Sequence, residues 1–205
     1  IFFLAGHETS AAALGWSLYL LALHPDWQDR AAAEALAVLG EVPDFSVLSR
    51  LVVARAVFRE AMRLYPPVPM FVRETRMAEI FRGRTLAPGA QVVISPWHLH
   101  RHERLWENPD GFDPARWDTE NGRACMRRAY IPFSAGPRVC PGAGFAMAEG
   151  PLVLALLLRD FRFEPAGGAP VVPIAQLTVR ARDGIRLRVT PRDVTSTAVS
   201  GVKQI

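Results

Sequence analysis

The sequence predicts a mainly α-helical fold with small β-sheets, an α+β protein whose helices carry the core. Three observations predict it. Two long apolar segments of helical period, Ile1 to His24 and Ala143 to Asp160, lie at the start and in the second half of the chain. Two further helical segments follow the first one. Strands are confined to short stretches punctuated by glycine and proline, after Pro66-Pro67 and around Asp183-Gly184.

The first segment, IFFLAGHETSAAALGWSLYLLALH, is apolar on nearly every face except at His7, Glu8, Thr9 and Ser10, so it belongs in a core. Taken alone, the polar interruption has a local explanation: Thr9 or Ser10 bonds back to a carbonyl one turn earlier, and Glu8 reaches the surface. Pro25 opens the next helix in its first turn, and that helix ends near Gly40, with an alanine-rich scaffold body from Ala31 to Leu39. A third helix runs from about Leu51 to Leu64 and is stopped by Tyr65-Pro66-Pro67. Glu60 and Arg63 stand three apart on it and share a face.

Val68 to Arg73 follows the proline pair and should be extended. Short strands come next, with turns at Gly83 and Pro88-Gly89, then Gln91 to Ser95. His98, His100 and His102 invite a metal site, but no acidic or cysteine set of structural-site spacing accompanies them, which argues against zinc. His102 to Pro132, rich in Asn, Pro, Gly and Arg, reads as an irregular but packed excursion. Arg162 to Pro173 reads as a Gly/Pro-rich connection, and Leu177 to Thr190 as a hairpin around Asp183-Gly184. Residues 193–205 are expected to form a frayed tail.

With 205 residues and 50% hydrophobic content the chain can bury a sizeable core. Its formal charge is +4 and its pI about 9.7, yet the arginines are interleaved with acids and Lys203 is the only lysine, so nucleic acid is not an expected partner. Two cysteines, Cys125 and Cys140, make no disulfide framework and fit a reducing, cytoplasmic compartment. The longest mainly apolar run, Ala11 to Leu23, is too short to cross a bilayer, so no transmembrane segment is expected in this portion.

The chemistry centres on Phe133 to Glu149, FSAGPRVCPGAGFAMAE. Gly136, Gly142 and Gly144, with Pro137 and Pro141, bend the backbone around Cys140 into a tight loop just before a helix N-terminus. That terminus and Arg138 both favour a thiolate. Such a thiolate can be a nucleophile, a metal ligand or the axial ligand of a haem, whereas an inert buried thiol is the usual fate of a lone cysteine.

Phe133, Gly136, Arg138, Cys140 and Gly142 match in full a Phe-x-x-Gly-x-Arg-x-Cys-x-Gly pattern, and the loop thereby resembles the haem-binding loop of the cytochrome P-450 family. Three further motifs stand in that family's order. Ala5-Gly6-His7-Glu8-Thr9-Ser10 resembles its oxygen-activation segment, Glu60 to Pro66 its Glu-x-x-Arg element with the Leu-x-Pro tail, and Pro114-Ala115-Arg116-Trp117 its Pro-x-Arg-aromatic element. The resemblance implies a partial cytochrome P-450 fold, with this chain the C-terminal portion of one domain whose N-terminal half, where a membrane anchor would lie, is absent.

It also implies roles. Cys140 is the thiolate on the iron of haem b, with Phe133 packing beside it, Arg138 and Arg73 reaching the propionates, and Gly136 and Gly142 letting the backbone approach the macrocycle. Glu8 and Thr9 deliver protons to dioxygen, Gly6 leaves room for it, and a local widening of the helix there would fit. Glu60, Arg63 and Arg116 form a buried triad that fixes the cysteine loop. Ala5, Val68, Met70, Phe71, Gln176 and Leu177 line the pocket of a small organic substrate.

The implied function is a monooxygenase that inserts one oxygen atom of dioxygen into that substrate. Its electrons come from NAD(P)H through a ferredoxin, flavodoxin or reductase, which the Arg123, Arg127 and Arg128 cluster helps to dock. This portion alone is expected to be inactive. Two alternatives stand beside this reading. One is a thiolate-haem peroxygenase or isomerase that needs no electron donor; the other is a non-catalytic fragment that serves only as a structural or interaction piece.

Overall fold

A computed structural model describes residues 2–40 and 45–192, so the tail expected at 193–205 lies outside the described residues. The element order begins with α1 (Phe2–Leu23), α2 (Pro25–Val38) and α3 (Val52–Leu64), with a short 3-10 turn at Phe45–Ser49 between the last two. β1 (Phe71–Glu74), β2 (Glu79–Phe81), β3 (Arg84–Leu86) and β4 (Gln91–Ile94) follow, then α4 (Pro96–Leu99), a 3-10 turn at Pro114–Asp118 and α5 (Glu120–Arg128). The chain continues through α6 (Ala143–Asp160) into β5 (Phe161–Pro165), β6 (Pro173–Ala175), β7 (Val179–Ala181) and β8 (Leu187–Pro191).

The main core forms where α1, α2, α3 and α6 meet, through Leu21, Ala22, Ala31, Ala32, Val57, Leu154 and Leu158, with Phe163 of β5 closing one end. The small side chains at Ala31, Ala32 and Ala35 let α2 pack closely, so its alanine-rich face is buried. Two polar side chains of α2 order the neighbouring elements. Gln28 donates to Leu21 O (3.0 Å) and Phe163 O (2.8 Å) and accepts from Phe163 N (2.8 Å), so its buried amide is fully used. Glu34 accepts from Val53 N (2.7 Å) and Ala54 N (3.0 Å), supplying α3 with the N-terminal cap that its own sequence lacks.

The sheets are all two-stranded and antiparallel: β1 with β4, β2 with β3, β5 with β8, and β6 with β7. This corrects two sequence expectations. The strands flanking Asp183-Gly184 do not pair with each other, because β7 pairs back to β6, Pro173 opposite Ala181, while β8 pairs with β5, Phe161 opposite Pro191. The stretch from Arg162 to Pro173 is therefore partly a strand, and its Gly/Pro content begins at Pro165, the last residue of β5. A third correction concerns the excursion before the cysteine loop, which contains α5. Asn121-Gly122 in its first turn argue against a helix. Thr119 restores one as N-cap, its hydroxyl accepting from Gly122 N at 3.0 Å.

At one crossing the packing admits no side chain at all. A Cβ on Gly150 of α6 would stand 2.2 Å from the ring of Phe58, a buried residue of α3. Gly150→Ala is expected to lower stability by about 1–3 kcal/mol. Gly144→Ala, with nothing within 4 Å of its Cβ, should cost nothing. Urea midpoints of the two variants check this contrast.

Candidate functional site

The loop before α6 turns on two residues with positive φ, Ser134 (64°) and Gly136 (66°), and the second is a position where glycine avoids strain. These turns bring Cys140 N back to Phe133 O (2.9 Å), and Val139 N to Gly136 O (3.0 Å). Cys140 itself is exposed and stands three residues ahead of α6. A Cβ at Gly142 would lie 3.8 Å from its Sγ, and Gly136 has nothing within 4 Å of where a Cβ would be. Arg138 is exposed on the same loop. Phe133 packs inward, against Ala13 of α1 and Phe58 and Met62 of α3.

Ala13 lies one helical turn from Thr9, and two turns from Ala5, on one stripe of α1. The cluster against which Phe133 packs therefore joins the cysteine loop to α1 one turn from Thr9. α1 is an uninterrupted α-helix here, so the expected widening is absent. Thr9 donates to Ala5 O at 2.7 Å, the back-bond available to a hydroxyl inside a helix. Glu8 does not simply reach water, as the local explanation had it. Its Oε1 accepts from Thr178 Oγ1 (2.6 Å) and from Arg180 Nε (3.0 Å) and Nη2 (2.6 Å), and these bonds hold its carboxyl below the usual carboxylate range.

Behind the loop, Glu60 and Arg63 are both 0% exposed and Arg116 is 4% exposed. Glu60 accepts from Arg63 Nε (3.0 Å) and Nη2 (2.8 Å), from Arg116 Nε (3.0 Å) and from Asp113 N (3.1 Å). The other guanidinium donors go to backbone carbonyls: Arg63 to His100, Pro109 and Gly111, Arg116 to Glu107, Asn108 and Gly111. The buried charges are thus paired and hydrogen-bonded, the condition for such a group to persist in an interior.

The link from this knot to the loop is His100, for which the sequence argues against a metal role and suggests a place on a short helix, but no contact with the loop. Its carbonyl accepts from Arg63 Nη1 (2.9 Å), and its ring Nε2 accepts from Ile131 N (2.9 Å), two residues before Phe133. Burial pushes its pKa down to about 3, so the ring is neutral and Nε2 stays an acceptor. Among the described residues no three metal-ligating side chains cluster, so His98, His100 and His102 form no metal site together.

Arg73, on β1, donates through Nη2 to Ser134 Oγ at 2.7 Å and so reaches the cysteine loop from the other side. The residues expected to line a substrate pocket lie on separated segments. Val179 N donates to Pro67 O (2.9 Å), which sets the β6–β7 hairpin beside Val68, Met70 and Phe71. Gln176 and Leu177 form the apex of that hairpin, and Leu177 and Met70 are exposed, as is Ala5. Residues that sequence reasoning missed are His100, Ile131 and Ser134 around the loop and Thr178 and Arg180 beside Glu8. For the last two no local signal was available, since they lie 170 and 172 residues from Glu8.

Fold and site define a class: a helical protein that presents one exposed thiol on a glycine-lined loop, braced from behind by a buried carboxylate–arginine knot. The family model described as Cytochrome P450 matches residues 1–188. Cyclooctatin synthase of Streptomyces melanosporofaciens is 40% identical over 179 residues, covering 87% of this chain and 39% of that protein. Cytochrome P450 4F12 of Homo sapiens is 38% identical over 198 residues, covering 94% of this chain and 38% of that protein. The crystal structure of the cytochrome P450DA heme domain superposes with a TM-score of 0.85 at 35% identity, covering 93% of this chain and 43% of that one. The chain belongs to the cytochrome P450 family. It spans about two-fifths of the length of the relatives it matches.

The residues present fit the haem that the family holds through a thiolate. Haem brings four nitrogen ligands of its own and asks one of the protein, which suits a lone exposed Cys140 and the absence of any larger ligand cluster among the described residues. The open space at Gly136 and Gly144 and the exposed ring of Phe145 offer a flat apolar ligand a face to cover. Among the described residues, no helix is long and apolar enough to cross a membrane.

His100 makes the stability of this region pH-dependent. Its pKa is lower folded (about 3) than unfolded (about 6.5), so the unfolded state binds the extra proton between those values. Stability is complete above pH 6.5 and falls toward pH 3, with a slope of up to about 1.4 kcal/mol per pH unit from this residue. His100→Gln keeps an acceptor for Ile131 N without the titration. It should flatten that slope in denaturation measured across the window.

Proposed function

We propose that the protein to which this chain belongs is a haem-thiolate monooxygenase, which inserts one atom of dioxygen into a small organic substrate. The observation that carries the reading is the packing of Phe133, from the Cys140 loop, against the buried cluster that holds Ala13, one turn of α1 from Thr9. Cys140 Sγ would hold the iron, Phe133 would pack beside it, and Gly136 and Gly142 would admit the macrocycle. Arg138 and Arg73 would take the propionates, Arg73 from the position where it now reaches Ser134. Haem, when bound, supplies the activation of dioxygen.

The chain's own residues manage protons and exclude water. Thr9 uses its hydroxyl proton on Ala5 O, so it meets an incoming ligand or water as an acceptor. Glu8 holds an anionic carboxylate within the same turn of α1, able to take a proton from solvent and pass it on through water. The wall of Ala5, Val68, Met70, Phe71 and Leu177, with Gln176 its polar member, suits a largely apolar substrate. Glu60, Arg63 and Arg116 serve as the brace that keeps the loop in register.

Electrons would come from NAD(P)H through a ferredoxin, flavodoxin or reductase. Arg123, Arg127 and Arg128, exposed on α5, offer an acidic donor a basic face. We place the enzyme in the reducing cytoplasm, where the thiol of Cys140 stays available.

The test compares two modes of turnover in the intact haem-loaded enzyme. With NAD(P)H and a redox partner, Thr9→Ala is expected to divert most reducing equivalents to hydrogen peroxide and to cut product per electron pair by about tenfold or more. Peroxide-supported turnover should be affected much less. Equal losses in both modes would oppose the proton role, and turnover supported by peroxide alone would favour a peroxygenase.

A further inference from the structure

Glu8 is tied to an element far along the chain, and by one oxygen. Thr178 Oγ1 and both Arg180 nitrogens, Nε and Nη2, converge on Oε1. Among the described residues, no donor meets Oε2. Thr178 is 1% exposed, so its hydroxyl is dedicated to this bond, whereas Arg180 is half exposed and touches water.

The same hairpin has a second role at its apex. Gln176 N donates to Thr178 O (3.1 Å), closing the turn that presents Leu177, 81% exposed, to the expected substrate side. One residue beyond Thr178, Val179 is fixed on both sides, its N–H to Pro67 O and its carbonyl to Trp16 Nε1 (3.0 Å). Between α1 and the inner strand lies a groove of about 320 Å³, lined by Ala11, Ala12 and Gly15 on one side and Arg180, Ala181 and Ile185 on the other. The hairpin therefore reaches Glu8 through polar bonds beside an open groove, with buried Val179 anchored to α1 one residue further on.

We infer that Thr178 and Arg180 are positioning residues for Glu8: they hold its carboxylate by Oε1, leave Oε2 open to take and pass a proton, and tie that posture to the turn Gln176-Leu177. A carboxylate with one oxygen fixed keeps a single orientation, which a relay over hydrogen-bond distances requires. The bonds from Thr178 and then Arg180 also favour its anionic form between turnovers. A substrate that presses on Leu177 would move Thr178 through the closed turn, so occupancy of the pocket reaches Glu8 through two residues. The inference rests on the reading of Glu8 as proton relay.

The experiment uses the intact haem-loaded enzyme with Thr178→Val, Thr178→Ser, Arg180→Gln and Glu8→Gln. Two quantities are read: the infrared titration of the Glu8 carboxyl, with Glu8→Gln as the subtraction reference, and the ratio of peroxide to product. Thr178→Val and Arg180→Gln are expected to shift the titration of Glu8 upward and to raise the ratio by about tenfold, the scale of loss from a small misplacement. Thr178→Ser, which keeps the hydroxyl, should restore both.

An unchanged titration and ratio in Thr178→Val and Arg180→Gln, while Glu8→Gln alone raises the ratio, would overturn the inference and leave the relay standing. A Glu8→Gln enzyme as well coupled as the parent would overturn the relay, and the inference with it. Arg180 is exposed, so its variant keeps the test decisive should Thr178→Val fail to fold.

Discussion

One carboxylate organises the half of the chain that has little regular structure. Glu60 sits fully buried at the inner face of α3 and accepts four hydrogen bonds, from Arg63, Arg116 and the amide of Asp113. The two guanidinium groups it neutralises bind carbonyls of His100, Glu107, Asn108, Pro109 and Gly111. A stretch that cannot close its own backbone hydrogen bonds in a helix or sheet is thus satisfied by two side chains. Removing the acid strands two buried cations, and the loss is on the order of 3–5 kcal/mol.

From this knot the constraint runs outward in covalent and hydrogen-bonded steps: Arg63 to the backbone of His100, the His100 ring to Ile131 N, and Phe133 O to Cys140 N. The aromatic cluster of Trp106, Trp117 and Tyr130 encloses His100, whose ring lies 5.2 Å from that of Tyr130, and keeps it dry and neutral. On the other face, α1 is joined to the loop through the cluster of Ala13, Phe58 and Met62 on which Phe133 packs, and to the C-terminal strands by Trp16, which stacks on Tyr65 at 3.8 Å. The thiol of Cys140 and the Thr9 stripe therefore belong to one rigid unit although 130 residues separate them in sequence.

Much of this was legible in the sequence because local pattern and tertiary demand agree. The bounds of α6 follow from an apolar run between Gly142 and the strand-forming Phe161, and the cysteine loop from its spaced glycines. Glu60 and Arg63 could be paired from helical spacing, but their burial could not, since the same spacing serves exposed pairs equally well. Strand partners were the weakest point. Asp183-Gly184 has the chemistry of a tight turn, and Gly184 does adopt φ 78°, yet β7 and β8 part there because each finds a partner elsewhere. Likewise α5 depends on a cap at Thr119 and burial of Cys125 that outweigh an unfavourable Asn-Gly. The bonds of Glu8 to Thr178 and Arg180 span about 170 residues, a separation that no local pattern encodes.

We propose that the Glu60 knot holds the Cys140 loop in the geometry of an iron-ligating thiolate. The carbon monoxide difference spectrum of the reduced, haem-loaded enzyme tests it most directly, taken on the parent and on Glu60→Gln. A thiolate-type Soret band is expected in the parent, and its loss or conversion to a non-thiolate band in the variant. A parent spectrum without thiolate character, or a variant that keeps the full thiolate band, would contradict it.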